Sequence, residues 1–104
     1  MTEREAFILT CIELTRMDGL LSPEEMQTCL NTLRNLGYTD EEFDQVENKL
    51  DEYSEEDLIA AIEHMPKVMK KNLLLAMQQI AGSDSIDESE IEFINSIMNI
   101  IKNA

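Results

Sequence analysis

Positive charge, histidine, glycine and cysteine are all scarce in this chain, and each scarcity narrows what it can be. Only 8 lysines and arginines stand against 22 aspartates and glutamates. A net charge of −14 offers no basic patch for a phosphate backbone, so nucleic-acid binding is not expected. An anionic membrane surface is disfavoured for the same reason. The single histidine, His64, has no evident acid–base partner and reads as a helix-end residue. Three glycines, far apart, cannot make a phosphate-cradling loop. Two cysteines, Cys11 and Cys29, are too few for a disulfide framework; both fall at apolar helical positions and read as buried thiols. No basic neighbour lowers their pKa, so neither reads as a nucleophile. No stretch is long and apolar enough to span a membrane. The opening Met-Thr-Glu-Arg-Glu lacks the basic-then-apolar order of a signal peptide, so a reducing, cytoplasmic setting is expected.

What is present is helical. Hydrophobic residues make up 43% of the 104 positions, enough for a folded chain despite the charge, and the length suits one domain over residues 1–104. Apolar residues recur at helical spacing and no alternating run reads as a strand. Thr2 with Glu5 caps a first helix, about Glu3 to Met17, with Phe7, Ile8, Cys11, Ile12 and Leu14 inward. A second should run from Pro23 to Leu36, with Met26, Cys29, Leu30, Leu33 and Leu36 inward, and Gly37 ends it. Thr39 with Glu42 caps a third, striped by Phe43, Val46 and Leu50; Ser54 with Asp57 opens a short fourth carrying Leu58, Ile59 and Ile62. The fifth, roughly Pro66 to Ala81, is the most apolar, through Val68, Met69, Leu73, Leu74, Met77 and Ile80, and should be the central element. The sixth, Glu88 to Lys102, has a wide apolar arc from Ile91 to Ile101: it is either sandwiched or lends an edge to a partner, including a second copy. The expected architecture is an all-α bundle of about six helices.

Two acidic corners organise this pattern. From Met17 to Glu25, Gly19 stops one helix, Ser22 caps the next, Pro23 takes its first position and Glu25 completes a capping box. From Ser83 to Glu90, Gly82 is the stop and Asp87 with Glu90 the cap. Leu21 and Ile86 precede the caps and can staple onto Met26 and Ile91. The offset is 65 residues and persists from Met26 and Ile91 through Cys29 and Ile94 to Leu33 and Met98. Two pseudo-repeated helix–acidic turn–helix halves follow from that spacing.

The corners resemble the TerB-like (tellurite-resistance) helical domain, which shows Asp-Gly-x-aliphatic-x-x-x-Glu after its first helix and again late in the chain. Asp18, Gly19, Leu21 and Glu25 match the first copy; in the second, Ser85 stands in place of the glycine, Ile86 comes one residue early and Glu90 still aligns. The resemblance covers nearly the whole chain in element order. It implies a non-enzymatic bacterial module linked to stress or tellurite response, binding a metal or a partner.

Several features carry chemistry or a plainer explanation. Asp18, Glu25, Asp84 and Glu90 could jointly hold a divalent cation, Ca²⁺ or Mg²⁺, if the corners face each other; equally, Glu25 and Glu90 are capping residues and the aspartates hold turns. Gly82-x-Asp84-Ser85-Ile86 looks like the site at which an acyl-carrier protein takes a phosphopantetheine arm, on Ser85, but too little chain follows for a carrier fold. Residues 40–63 hold 11 acids against Lys49 alone, either a solvated face or a docking face for a basic protein partner. Lys67, Lys70 and Lys71 share one helical region and could contact an anion or an acidic neighbour, but read first as a solvated face. Met65, Met69 and Met77 fill the core or line an adaptable groove. No nucleophile–base pair marks an enzyme.

Overall fold

The computed structural model describes the backbone of residues 1–16, 23–81 and 88–103 and, within them, the side chains of 1–16, 23–80 and 91–102. Six α-helices and a 3-10 turn make up the described elements: α1 Glu3–Arg16, α2 Pro23–Asn35, α3 Asp40–Asn48, the 3-10 turn Leu50–Glu52, α4 Glu55–Glu63, α5 Lys67–Ala81 and α6 Glu88–Asn103. Among the described residues there is no strand. Neither is there a helix long and apolar enough to cross a membrane.

The local signals at Thr2, Thr39, Ser54 and Gly37 act as the sequence predicts, while Gly19, Ser22, Gly82 and Asp87 lie outside the described residues. Thr2 Oγ1 accepts from Glu5 N at 3.1 Å, and Thr2 N donates to Glu5 Oε1 at 2.9 Å. Thr39 and Glu42 make the same reciprocal box at the start of α3, each bond 3.2 Å. Ser54 Oγ accepts from Asp57 N at 3.1 Å and opens α4. Each satisfies amides that a helix start leaves without partners. Gly37, at φ +94°, ends α2. Tyr38 N donates to Leu33 O and Gly37 N to Arg34 O, both at 3.0 Å, a Schellman closure that needs the left-handed conformation glycine supplies. His64 caps the end of α4, as expected of a helix-end residue. Helix α2 stops one residue short of the expected Leu36, and Leu50 belongs to the 3-10 turn rather than to α3.

The two halves are visible in the backbone. Arg16 and Ala81 end α1 and α5, Pro23 and Glu88 open α2 and α6, and both pairs are 65 residues apart. Ile8, Cys11, Ile12 and Thr15 form a buried stripe on α1; their counterparts at the same offset, Leu73, Ala76, Met77 and Ile80, form one on α5. The spacing i, i+3, i+4, i+7 puts each set on one helical face.

The centre of the fold is α1, not α5, and this corrects the sequence reading. Helix α1 packs against all five other helices and buries Ala6, Phe7, Leu9, Thr10 and Leu14 besides its stripe. Hydropathy ranks α5 higher, but α3 and α4, the segment between the halves, close over the remaining faces of α1 and leave one face of α5 open. Val68, expected inward, is 73% exposed, and Leu75 on the same face is 47% exposed. Three threonine hydroxyls pass into this core at little cost because each bonds back to its own helix: Thr10 to Ala6 O, Thr15 to Cys11 O and Thr32 to Thr28 O, all at 2.8 Å. Met65 and Met77 are buried and fill the core, while Met69 is half-buried and lines a surface groove with Arg4 and Tyr38. Lys70 is also buried, its stem packed away while Lys67 and Lys71 stay exposed; the expected solvated lysine face is therefore broken at its middle. Ile91, expected to take a staple from Ile86, is 47% exposed, and Leu21 and Ile86 lie outside the described residues.

Candidate functional site

Two structural features compete for attention: the corners, which the sequence singles out, and the face carried by α3, the 3-10 turn and α4. At the corners, Asp18, Asp84, Ser85 and the side chain of Glu90 lie outside the described residues. Glu25 is described, half-buried in the first turn of α2. Among the described residues no three His, Cys, Asp or Glu side chains gather as a metal ion would need.

The second face is fully described. Of its 11 acids, two are committed to arginines. Arg34 pairs with Asp40, Nη2 to Oδ2 at 2.6 Å, at the surface. Arg4 holds Glu42 with both ends of its guanidinium, Nε to Oε2 at 2.7 Å and Nη2 to Oε1 at 2.8 Å. The other nine (Glu41, Asp44, Glu47, Asp51, Glu52, Glu55, Glu56, Asp57 and Glu63) are exposed and have no ion pair among the described residues. The short helices explain why so many acids fit here. Each of α3 and α4 opens with three acidic residues in its first turn, where the helix dipole favours negative charge.

Arg4 also joins α1 to this face in a way the sequence did not announce. Its guanidinium lies 4.4 Å over the Tyr38 ring, and that ring stacks on Phe7 at 4.8 Å between centroids. Nη2 also reaches Gly37 O at 3.3 Å. Glu42 thus caps α3 and receives Arg4 with one carboxylate, and the hydrogen bond from Arg4 is the chief reason its pKa falls to about 2. Glu5 is used twice as well. It caps α1 and accepts from Tyr53 Oη at 2.7 Å, and both bonds, the Thr2 amide first, lower its pKa. Burial, then the bond to Glu5, pushes Tyr53 up to about 12.

The thiols are as expected. Both cysteines are free and buried. Burial raises Cys11 well above the ordinary thiol value, with the neighbouring Cys29 adding to the shift; burial raises Cys29 to about 11 against an opposing hydrogen bond with Thr15. A nucleophilic cysteine needs the opposite displacement. Ellman's reagent at pH 8 should therefore leave both thiols unreacted in the folded protein and label both in denaturant; rapid native labelling of either would contradict their burial.

Three of the open grooves formed by described residues lie near this face. One of about 320 Å³ is lined by Arg4, Phe7, Tyr38, Val68 and neighbours. One of about 300 Å³ lies beside Arg16, Met26, Glu47 and Asp51. The third, about 330 Å³, has Leu9, Leu50, Tyr53, Leu58 and Phe93 along its walls with Glu13, Ser54 and Glu55. Sequence periodicity could not have found it, because its residues come from α1, the 3-10 turn, α4 and α6.

The fold and this face define a class: an all-helical module of two related helix pairs joined by an acidic insertion. A family profile described as "Tellurite resistance protein TerB" matches residues 4–103. The chain belongs to the TerB family. A crystal structure of a protein of unknown function from Porphyromonas gingivalis W83 shares the fold, with a TM-score of 0.75 and 22% identity over 98% of this chain and 86% of that one. No curated protein matches the chain.

Proposed function

We propose that this chain is a non-enzymatic interaction module of the tellurite- and stress-response type that its family name suggests, and that it works by docking a basic protein partner. The observation that carries the reading is the set of nine exposed acids on α3, the 3-10 turn and α4 that have no ion pair among the described residues. A stretch this dense in one sign raises the local potential and steers an oppositely charged partner towards it. The same charge opposes self-association, so a basic partner is preferred to a homodimer. Buried thiols with raised pKa values and an isolated histidine at the end of α4 give no support to a catalytic reading.

The reading is tested by calorimetric titration with a lysine-rich peptide. Binding should be measurable at low ionic strength and weaken steeply as salt rises towards 1 M, where screening acts within about 3 Å. Absence of binding at low salt would end the proposal. Ca²⁺ and Mg²⁺ are titrated alongside. Heat from either cation, lost on Asp18→Asn with Asp84→Asn, would transfer the function to the corner carboxylates instead.

A further inference from the structure

We propose that the groove between α1, the 3-10 turn, α4 and α6 is the seat for a basic amphipathic segment of the partner, with one large apolar side chain entering the groove and flanking lysines or arginines meeting its acidic lip. This rests on the reading of the chain as a module for a basic partner and names the place and the chemistry of that contact.

The groove combines two properties that the grooves beside Phe7 and beside Met26 do not. Its walls are predominantly apolar: Leu9 and Leu58 are buried core residues, and Leu50, Tyr53 and Phe93 are half-buried. Its polar lip is acidic: Glu13 and Glu55 line it directly, and neither has an ion pair among the described residues. Glu52 and Glu56, next to lining residues in the chain, are exposed and also without an ion pair among the described residues. No lysine or arginine lines it. By contrast, the groove beside Phe7 and Tyr38 contains Arg4, and the one beside Met26 contains Arg16. A cation at the lip would repel the same ligand.

Size and charge select the occupant. About 330 Å³ is at the small end of ligand pockets, room for an anchoring side chain rather than a cofactor. An apolar anchor in a pocket ringed by polar contacts is the usual energetic centre of a protein interface. Basic residues on either side of the anchor gain the unpaired carboxylates, and because those carboxylates stay hydrated until docking, the charges mainly set encounter rate and orientation while the anchor sets residence. A second copy would bring the same net charge of −14 and is disfavoured.

The chain contains no tryptophan, which permits a direct test. The probe is a lysine–leucine amphipathic peptide with one central tryptophan. On binding, the tryptophan emission should shift to the blue and saturate, and amide shifts should cluster at Leu9, Glu13, Leu50, Tyr53, Glu55, Leu58 and Phe93. Glu13→Lys with Glu55→Lys should weaken binding about tenfold, the scale of two exposed charge pairs reversed. The milder Glu13→Gln with Glu55→Gln should weaken it less, and an acidic peptide with the same apolar order should not bind. If the peptide binds both double variants as tightly as the parent, or its shifts cluster elsewhere on the acidic face, the groove is not the seat while the basic-partner reading stands. If no lysine-rich peptide binds at low salt, both fall.

Discussion

Phe7→Ala is expected to destabilise the protein by about 3–5 kcal/mol, the range for removing a large aromatic from a packed core. Phe7 is 1% exposed, sits on the helix that meets every other helix, and stacks on Tyr38. The cavity would open where α1 meets the end of α2, and Tyr38 would lose the ring that holds it under Arg4. Against a total stability of roughly 5–15 kcal/mol, such a loss would lower the melting temperature by tens of degrees or leave the chain unfolded at 37 °C. Val68→Ala is the contrast: at 73% exposure it should change stability by less than about 0.5 kcal/mol. Thermal denaturation followed by circular dichroism reads both. Equal effects would mean that α1 is not the centre of the core.

Glu42→Ala should cost about 1–2 kcal/mol, because one carboxylate closes the α3 capping box and receives both Arg4 bonds. Exposure of the pair, 52% for Arg4 and 29% for Glu42, keeps the figure modest through solvent screening. The effect has a definite pH dependence. The folded pKa of about 2 lies below the reference of 4.5, so the unfolded state takes up the proton first. The stabilisation is complete above about pH 4.5 and is lost as pH falls through about 2. Glu5, also lowered, adds to the same acid limb. Urea midpoints measured from pH 7 to pH 2 should show Glu42→Gln less stable at neutrality but with a shallower fall in acid. An unchanged acid slope would show that Glu42 titrates normally in the folded protein.

The readings that rested on local chemistry held where the residues are described; the corner caps at Ser22 and Asp87 lie outside them. Thr2, Thr39 and Ser54 cap helices, Gly37 turns the chain back after α2, and Cys11 and Cys29 are buried. A capping bond or a positive φ is decided within a few residues, so neighbours in sequence are enough to predict it. The readings that rested on apolar content alone did not all hold. Val68 and Ile91 are as hydrophobic as Leu73 and Ile97, yet the first pair is exposed and the second buried. What separates them is whether another helix arrives on that side. Periodicity identifies a face but not the element that covers it.

The site divides along the same line. The density of acids between residues 40 and 63 is legible in composition, since a surface of one sign needs no tertiary information to recognise. That Arg4 would take Glu42 was not legible, because 38 residues separate the partners. Nor was the groove, whose walls converge from Leu9, Leu50, Leu58 and Phe93.

The sequence by itself determined that this chain is helical, where most of its helices start and stop, that its halves repeat at a constant offset, and that its surface is acidic. Those properties follow from dihedral preference, hydrogen-bond closure and charge, all of which act over one or two turns. Only the tertiary structure decided that α1 is the hub, that Lys70 and Met77 are enclosed while Val68 is not, and that an apolar groove opens beside unpaired carboxylates. Burial belongs to whichever surfaces meet when the helices pack, and that meeting depends on the whole set of contacts at once.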